Sequence, residues 1–287
     1  MIYILLSVIS STFVFIIFKY CQKFNVDIFK VIVINYLVAI ITGLLINNSL
    51  TAIINSNYEK WILLAVIIGI LFIFMFYIIG LSTQKAGITV TSISSKMSVV
   101  IPVLFSILYY NEEINNLKLL GVLLAIIALV LIIKKKKRKK INKGFIYLPV
   151  LLFFGIGLID SLIKLSQQDY IENGNIVVFA ITCFAVSFIV GVGINVINKV
   201  PVIKFMNKKV LIFGIILGIT NFSTMYFLIY ALDSNIFDSS VIFAINNNGI
   251  ISLSVILALI LFKEKISILN WAGIILSLIA IILLSNI

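Results

Sequence analysis

Two charged side chains inside apolar segments pose the first chemical question: Lys96, in "TSISSKMSVVIPVLFSIL", and Asp160, in "GIGLIDSLIKL", with Lys164 four residues beyond. A charged lysine at the centre of a hydrocarbon layer costs about 2.5–3.5 kcal/mol by insertion scales, so it requires water, an anion or loss of its proton. Three arrangements meet that requirement. Lys96 pairs permanently with Asp160 as a structural staple, or receives a carboxylate or phosphate in a wet cavity, or one of the two groups gains and loses a proton. Lys164 stands at the i,i+4 spacing that lets it pair with Asp160 along one helix.

Neutral polar residues accompany the charges. Thr89, Ser92 and Lys96 share one helical face at spacings of three and four, while Thr91, Ser95, Ser98 and Pro102 share an adjoining one. Asn35, Tyr77, Asn221, Tyr226, Asn246 and Asn248 lie within other apolar runs. Such side chains are costly against lipid and turn inward, where they touch a bound solute or cross-link helices at about 0.6 kcal/mol per bond. The candidate binding set is therefore Lys96, Ser92, Ser95, Asn246, Asn248, Asn35, Tyr77, Asn221 and Tyr226, with Asp160 and Lys164 as candidates for ion coupling.

Other chemistries are disfavoured. The chain has no histidine and only two cysteines, Cys21 and Cys183, far apart in sequence and read as free thiols. That removes histidine acid/base work, histidine-ligated haem and the common zinc sites. No GxxxxGK[ST] loop occurs, and Gly155-Ile156-Gly157 lacks the strand, turn and helix setting of a nucleotide fingerprint. No cofactor, metal or catalytic group is expected.

What must position these residues is an all-α integral membrane protein. Of 287 residues 62% are hydrophobic and 11% charged, with a mean hydropathy of +1.25, whereas soluble domains are roughly half apolar. Apolar runs of about 20 residues, the length that spans a bilayer as a helix, recur from end to end. They predict ten helices, near 2–18, 28–46, 61–81, 86–109, 117–133, 145–165, 176–198, 210–232, 237–262 and 266–286. Runs such as "LLGVLLAIIALVLII" do not alternate as barrel strands would. The first run has neither a basic flank before it nor a small-x-small cleavage pattern after it, and is read as the first helix. Trp61, Trp271, Tyr109, Tyr110 and Tyr147 fall near predicted helix ends and are expected to anchor in the membrane interface.

Charge then gives an orientation. The loops after helices one, three, five, seven and nine carry Lys19, Lys23, Lys30, Lys85, the eight basic residues between Lys134 and Lys143, Lys199, Lys204, Lys208, Lys209, Lys263 and Lys265. That is eighteen, against Lys60 and Lys118 on the other side, where acids gather. The positive-inside rule puts the basic 134–143 loop in the cytoplasm, near anionic headgroups, and both termini outside. The net charge of +12 is thereby a topology signal, and nucleic acid is not expected as a partner.

The basic linker, 134–144, divides the chain into halves, 1–133 and 145–287, each of five helices. "SSKMSVVIPVLFSILYYNEEINNLKLLGVLL" aligns without a gap on "NNNGIISLSVILALILFKEKISILNWAGIIL", matching Glu112 to Glu264, Gly121 to Gly273, Lys96 to Asn248 and Pro102 to Ser254. Gly69 with Tyr77 likewise matches Gly218 with Tyr226. Because five is odd, the second copy enters the membrane from the opposite side, which makes two inverted five-helix repeats, a geometry characteristic of carriers. A proline in only one copy predicts a helix break in the first half alone.

On these residues the chain resembles the drug/metabolite transporter superfamily, EamA branch: in each half a helix is followed by a glutamate turn and a closing glycine-bearing helix. The resemblance implies a secondary carrier of a small polar metabolite, amino-acid-like, across the cytoplasmic membrane, with export the commoner direction, as a monomer or homodimer. A carrier of anionic substrates, sugar phosphates or lipid-linked sugars, is the alternative, with Lys96 as anion partner. Proton coupling is a further option. Glu112 and Glu264 are expected to fix helix ends or gate contacts. Family members are often described with cytoplasmic termini, the reverse of the lysine count here.

Overall fold

Hydrocarbon offers the backbone no hydrogen-bond partner, so an apolar run must satisfy its own amides by coiling. The computed structural model, which describes residues 1–46, 61–111, 115–133, 147–171, 176–205, 207–234, 236–237 and 239–285, is helical in every regular element among them. Ten spans appear in order: α1 Ile2–Lys23, α2 Ile28–Ile46, α3 Ile62–Lys85, α4 Ile88–Tyr109, α5 Asn116–Ile133, α6 Tyr147–Leu165, α7 Ile176–Ile197, α8 Lys208–Asp233, α9 Ser239–Phe262 and α10 Ile268–Ser285. Among the described residues nine spans are long and apolar enough to cross a membrane, and α10 is apolar over Ile268–Leu284. The expected linker, 134–144, and Glu112 lie outside the described residues.

The helices form two compact units, each drawing on both halves of the chain. The first is Met1–Lys19, Ile78–Leu158 and Ser223–Ile287; the second is Tyr20–Tyr77 and Ile159–Phe222. In the first unit α4, α5, α9 and α10 bury a core that includes Ile93, Met97, Ala125, Ile132, Ile251 and Ala280. In the second, α2 packs on α7, and Trp61, Ile68, Phe179 and Cys183 form a core. Trp61 corrects one expectation: it is only 1% exposed, edge-on to Phe179 at 5.6 Å, a core residue and not an interface anchor. Trp271, Tyr109 and Tyr147 are exposed as expected.

Small residues set how closely these helices approach, and the close contacts come in pairs. A Cβ at Gly69 would meet Val186 at 2.6 Å and the Cys183 carbonyl at 2.7 Å; one at Gly218 would meet Val38 at 2.6 Å and the Asn35 carbonyl at 2.7 Å. Gly43 faces Phe222 and Ile181, while Gly191 faces Ile73 and Val33. Gly121 faces Leu284, and Gly273 faces Ile132. Each pair consists of a contact and its counterpart about 150 residues along, with the two sides exchanged.

α4 is broken where its proline requires. Pro102 has no N–H for the carbonyl four residues back, and its ring crowds that carbonyl. The α-helix accordingly stops at Met97 and resumes at Val100, and the Ser98 carbonyl takes a shorter-range bond from the Ile101 N–H at 2.9 Å. Lys96 lies two residues before the interruption. With Ser254 in place of a proline, α9 runs uninterrupted from Ser239 to Phe262.

Candidate functional site

The first half of α4 begins without a capping side chain of its own. Its N-cap is Gly87, at φ 106, a left-handed conformation that favours glycine, so the first amides of the helix need an acceptor from elsewhere. Glu264, in the turn between α9 and α10, supplies it. The Ile88 N–H donates to Glu264 Oε1 at 2.7 Å, and the Thr89 N–H and hydroxyl donate to Oε2 at 3.2 and 3.0 Å. A carboxylate at a helix N-terminus meets both unsatisfied donors and the positive end of the helix dipole. The turn glutamate thus fixes a helix end, as expected. Its target was not legible, although the sequence "KAGITVT", with no Ser, Thr, Asp or Asn before the helix, carried the signal.

From that cap α4 descends as a buried, hydroxyl-rich rod. Thr89, Thr91, Ser92, Ser94 and Ser95 are buried and Lys96 is half-buried. The Thr91 hydroxyl lies 2.7 Å from that of Ser82 on α3. Ser92 donates to the Thr89 carbonyl, Ser95 to that of Thr91 and Ser98 to that of Ser95, which leaves oxygen lone pairs to accept.

The other sequence-predicted residues divide between the units. The first unit holds Ser92, Ser95, Lys96, Tyr226, Asn246 and Asn248; the second holds Asn35, Tyr77, Asp160, Lys164 and Asn221. Asn248 donates to the Leu278 carbonyl at 3.3 Å, tying α9 to α10, while its Oδ1 is buried with no partner among the described residues. Asn246, only 2% exposed, also has an unpartnered Oδ1. The Tyr226 ring packs tilted against that of Tyr230 at 4.5 Å, and the Tyr230 ring lies 5.6 Å from that of Tyr3. In the second unit Asn35 is fully buried; with its amide turned so that nitrogen donates, it bonds the Leu217 carbonyl and sits 3.2 Å from the Asn221 amide. Tyr77 meets Phe29 edge-on. Asp160 and Lys164 are half-buried, one turn apart on α6. No cluster of His, Cys, Asp or Glu capable of holding a metal occurs among the described residues.

Seven buried side-chain oxygens lack a hydrogen-bond partner among the described residues: those of Ser11, Thr12, Thr83, Ser94 and Ser254, with Asn246 and Asn248 Oδ1. All belong to the first unit. Sequence reasoning missed Ser11, Thr12, Thr83 and Ser94, since single hydroxyls in helices read as harmless back-bonding groups.

Ten apolar spans among the described residues, one of them hydroxyl-rich and interrupted, define a multi-pass, all-helical membrane protein. Residues 1–134 match the EamA-like transporter family. An uncharacterized protein of Haemophilus influenzae is 30% identical over 287 residues, covering 97% of this chain and 95% of its own. A solved structure titled "Crystal structure of protein" shares the fold with a TM-score of 0.59 at 13% identity, over 98% of this chain and 94% of that one. The chain belongs to the EamA-like transporter family and is a membrane transporter of the drug/metabolite type.

The cap on α4 makes a direct test of stability. Glu264→Ala removes the acceptor for two backbone amides and a hydroxyl and is expected to cost about 1–3 kcal/mol, with Glu264→Gln, which keeps one oxygen, costing less. Apparent Tm in detergent measures both; equal Tm for parent and Glu264→Ala would refute the capping role.

Proposed function

We propose that the protein is a secondary carrier that moves a small polar, amino-acid-like metabolite outward across the cytoplasmic membrane by alternating access between two inverted five-helix repeats. The observation that carries the reading is α4: a buried hydroxyl-lined helix, broken by Pro102, with Lys96 two residues before the break. In membranes, irregular backbone at depth is tolerated where it lies in protein or lines a cavity. Interrupted helices are also where carriers assemble their binding sites. The orphaned oxygens on α1, α3, α4 and α9 support it, because each unmet buried polar group costs about 1–3 kcal/mol, and a polar ligand or water would remove that penalty.

Support for the repeat is geometric. The glycine contacts recur with partners exchanged, and each unit takes matching segments from the two halves: Met1–Lys19 and Ile78 onward from the first, the stretch to Leu158 and Ser223 onward from the second. In this reading Lys96, Ser92, Ser95, Asn246, Asn248, Asn35, Tyr77, Asn221 and Tyr226 contact substrate. Asp160 and Lys164 couple transport to protons. Lys96 also favours a second reading, a carrier of anionic substrates such as sugar phosphates, in which its ammonium receives the anion.

Four measurements decide these points. A thermal-shift screen of the purified protein against metabolites names the substrate, after which Lys96→Ala in proteoliposomes is expected to abolish uptake of an anionic or zwitterionic substrate while insertion is preserved; unchanged uptake removes Lys96 from the site. Asp160→Asn is expected to flatten the response of transport to an imposed pH gradient, and a full response excludes Asp160 as the proton carrier. The lysine count places both termini outside and the 134–143 loop inside the cell, so a reporter fused after Lys143 is expected to signal cytoplasmic, and a periplasmic signal overturns that orientation.

A further inference from the structure

The connections at the lysine-rich ends of the second unit enclose a feature that the transport reading does not use. Between the α1–α2 turn and the short helical turn Val202–Lys204 ahead of α8 lies a cleft of about 830 Å³. Lys30, Lys204, Lys209, Asp27, Asn207 and Phe24 line it. Three lysines line it against one carboxylate, and that carboxylate is committed. Asp27 Oδ1 accepts the N–H groups of Phe29 and Lys30 at 3.0 and 3.4 Å, capping α2, and Oδ2 pairs with the Lys30 side chain. Asn207 is committed too, accepting the Lys209 N–H at 2.9 Å as the cap of α8. Lys209 Nζ stands 5.9 Å over the exposed Phe24 ring. The cleft is thus cationic in excess, with no side-chain anion among its described lining residues left to balance Lys204 and Lys209.

Apolar side chains flank this charge. Val202 is 76% exposed and Ile203 71%, immediately before Lys204. Exposed aliphatic residues beside lysines suit a membrane interface, the apolar pair entering the acyl boundary and the ammonium groups staying at headgroup level. We propose that this cleft binds the phosphate of an acidic phospholipid headgroup, Lys204 and Lys209 contacting the anion while Val202 and Ile203 seat in the acyl layer. The chemistry recognised is a phosphate ester. The neighbouring aliphatic pair assigns it to lipid and not to a soluble anion.

The test compares the full chain in discs of phosphatidylcholine alone and of phosphatidylcholine mixed with phosphatidylglycerol, reading apparent Tm and lipid retained in native mass spectra. Phosphatidylglycerol is expected to raise Tm by about 2–4 °C. Lys204→Gln/Lys209→Gln is expected to lose that rise and to retain roughly 5-fold less acidic lipid per lysine removed. Lys135→Gln/Lys136→Gln, which subtracts the same charge from the basic run, keeps both. Equal losses in the two double variants, or none in Lys204→Gln/Lys209→Gln, would overturn the site. Inorganic phosphate reproducing the rise in neutral discs would overturn the lipid as its source.

Discussion

Every other feature of this protein follows from the absence of backbone partners in hydrocarbon. A chain that is 62% hydrophobic can stay in lipid only as helices that satisfy their own amides, and it does so in every regular element described. Helices closed in this way have no intrinsic attraction in lipid, whose tails are as apolar as leucine, so close packing must hold them together. That explains the glycines at crossings such as Gly218 on Val38, where a methyl group would collide with the Asn35 carbonyl. It also explains the cost of departing from the rule, and α4 departs from it at both its start and its middle.

At the start of α4 the departure is answered by a charge from another helix pair. Glu264 belongs to the α9–α10 turn, so the geometry of that turn and the entry of α4 are set by one carboxylate; displacing either would leave the amides of buried Ile88 and Thr89 without this acceptor. In the middle, Pro102 withdraws a donor and local chemistry repairs the loss: a short-range bond to the Ser98 carbonyl, and the Ser98 hydroxyl donating to the Ser95 carbonyl. The hydroxyl content of this helix therefore has two separable origins, repair of a broken backbone and lining of a polar interior. Ser94 is buried with no hydrogen-bond partner among the described residues and takes no part in the repair.

Much of this was legible because lipid simplifies the code. Helix ends read from hydropathy agree with the observed ones to within a few residues; the largest shift is at α1, which continues past the apolar run to Lys23, with the Lys19 ammonium donating to the Thr83 and Gln84 carbonyls at the end of α3. The break in α4 followed from Pro102 alone. Trp61 was misread because position near a helix end looks the same in sequence whether the ring faces headgroups or Phe179. Asn248 reads from sequence as a site residue; in the structure its nitrogen joins α9 to α10 while its oxygen has no partner among the described residues, a division no sequence can display. The partner of Glu264 was hidden for a related reason, since a cap contributed from about 175 residues away leaves only the missing local cap as its trace.

The pairing of contacts and the inequality of chemistry point to different demands on the same helices. Gly69 and Gly218, Gly43 and Gly191, Gly121 and Gly273 meet equivalent partners, so the packing surfaces are alike in the two halves. The interior polar positions are not: Lys96 corresponds to Asn248, and Pro102 to Ser254. Helix crossings tolerate little change, because an added methyl at a 2.6 Å approach forces backbones apart. A polar interior position tolerates change whenever the ligand or a partner can absorb it. The glycine crossings are thus alike in the two halves of the chain, while Lys96 and Pro102 find no like residue at Asn248 and Ser254.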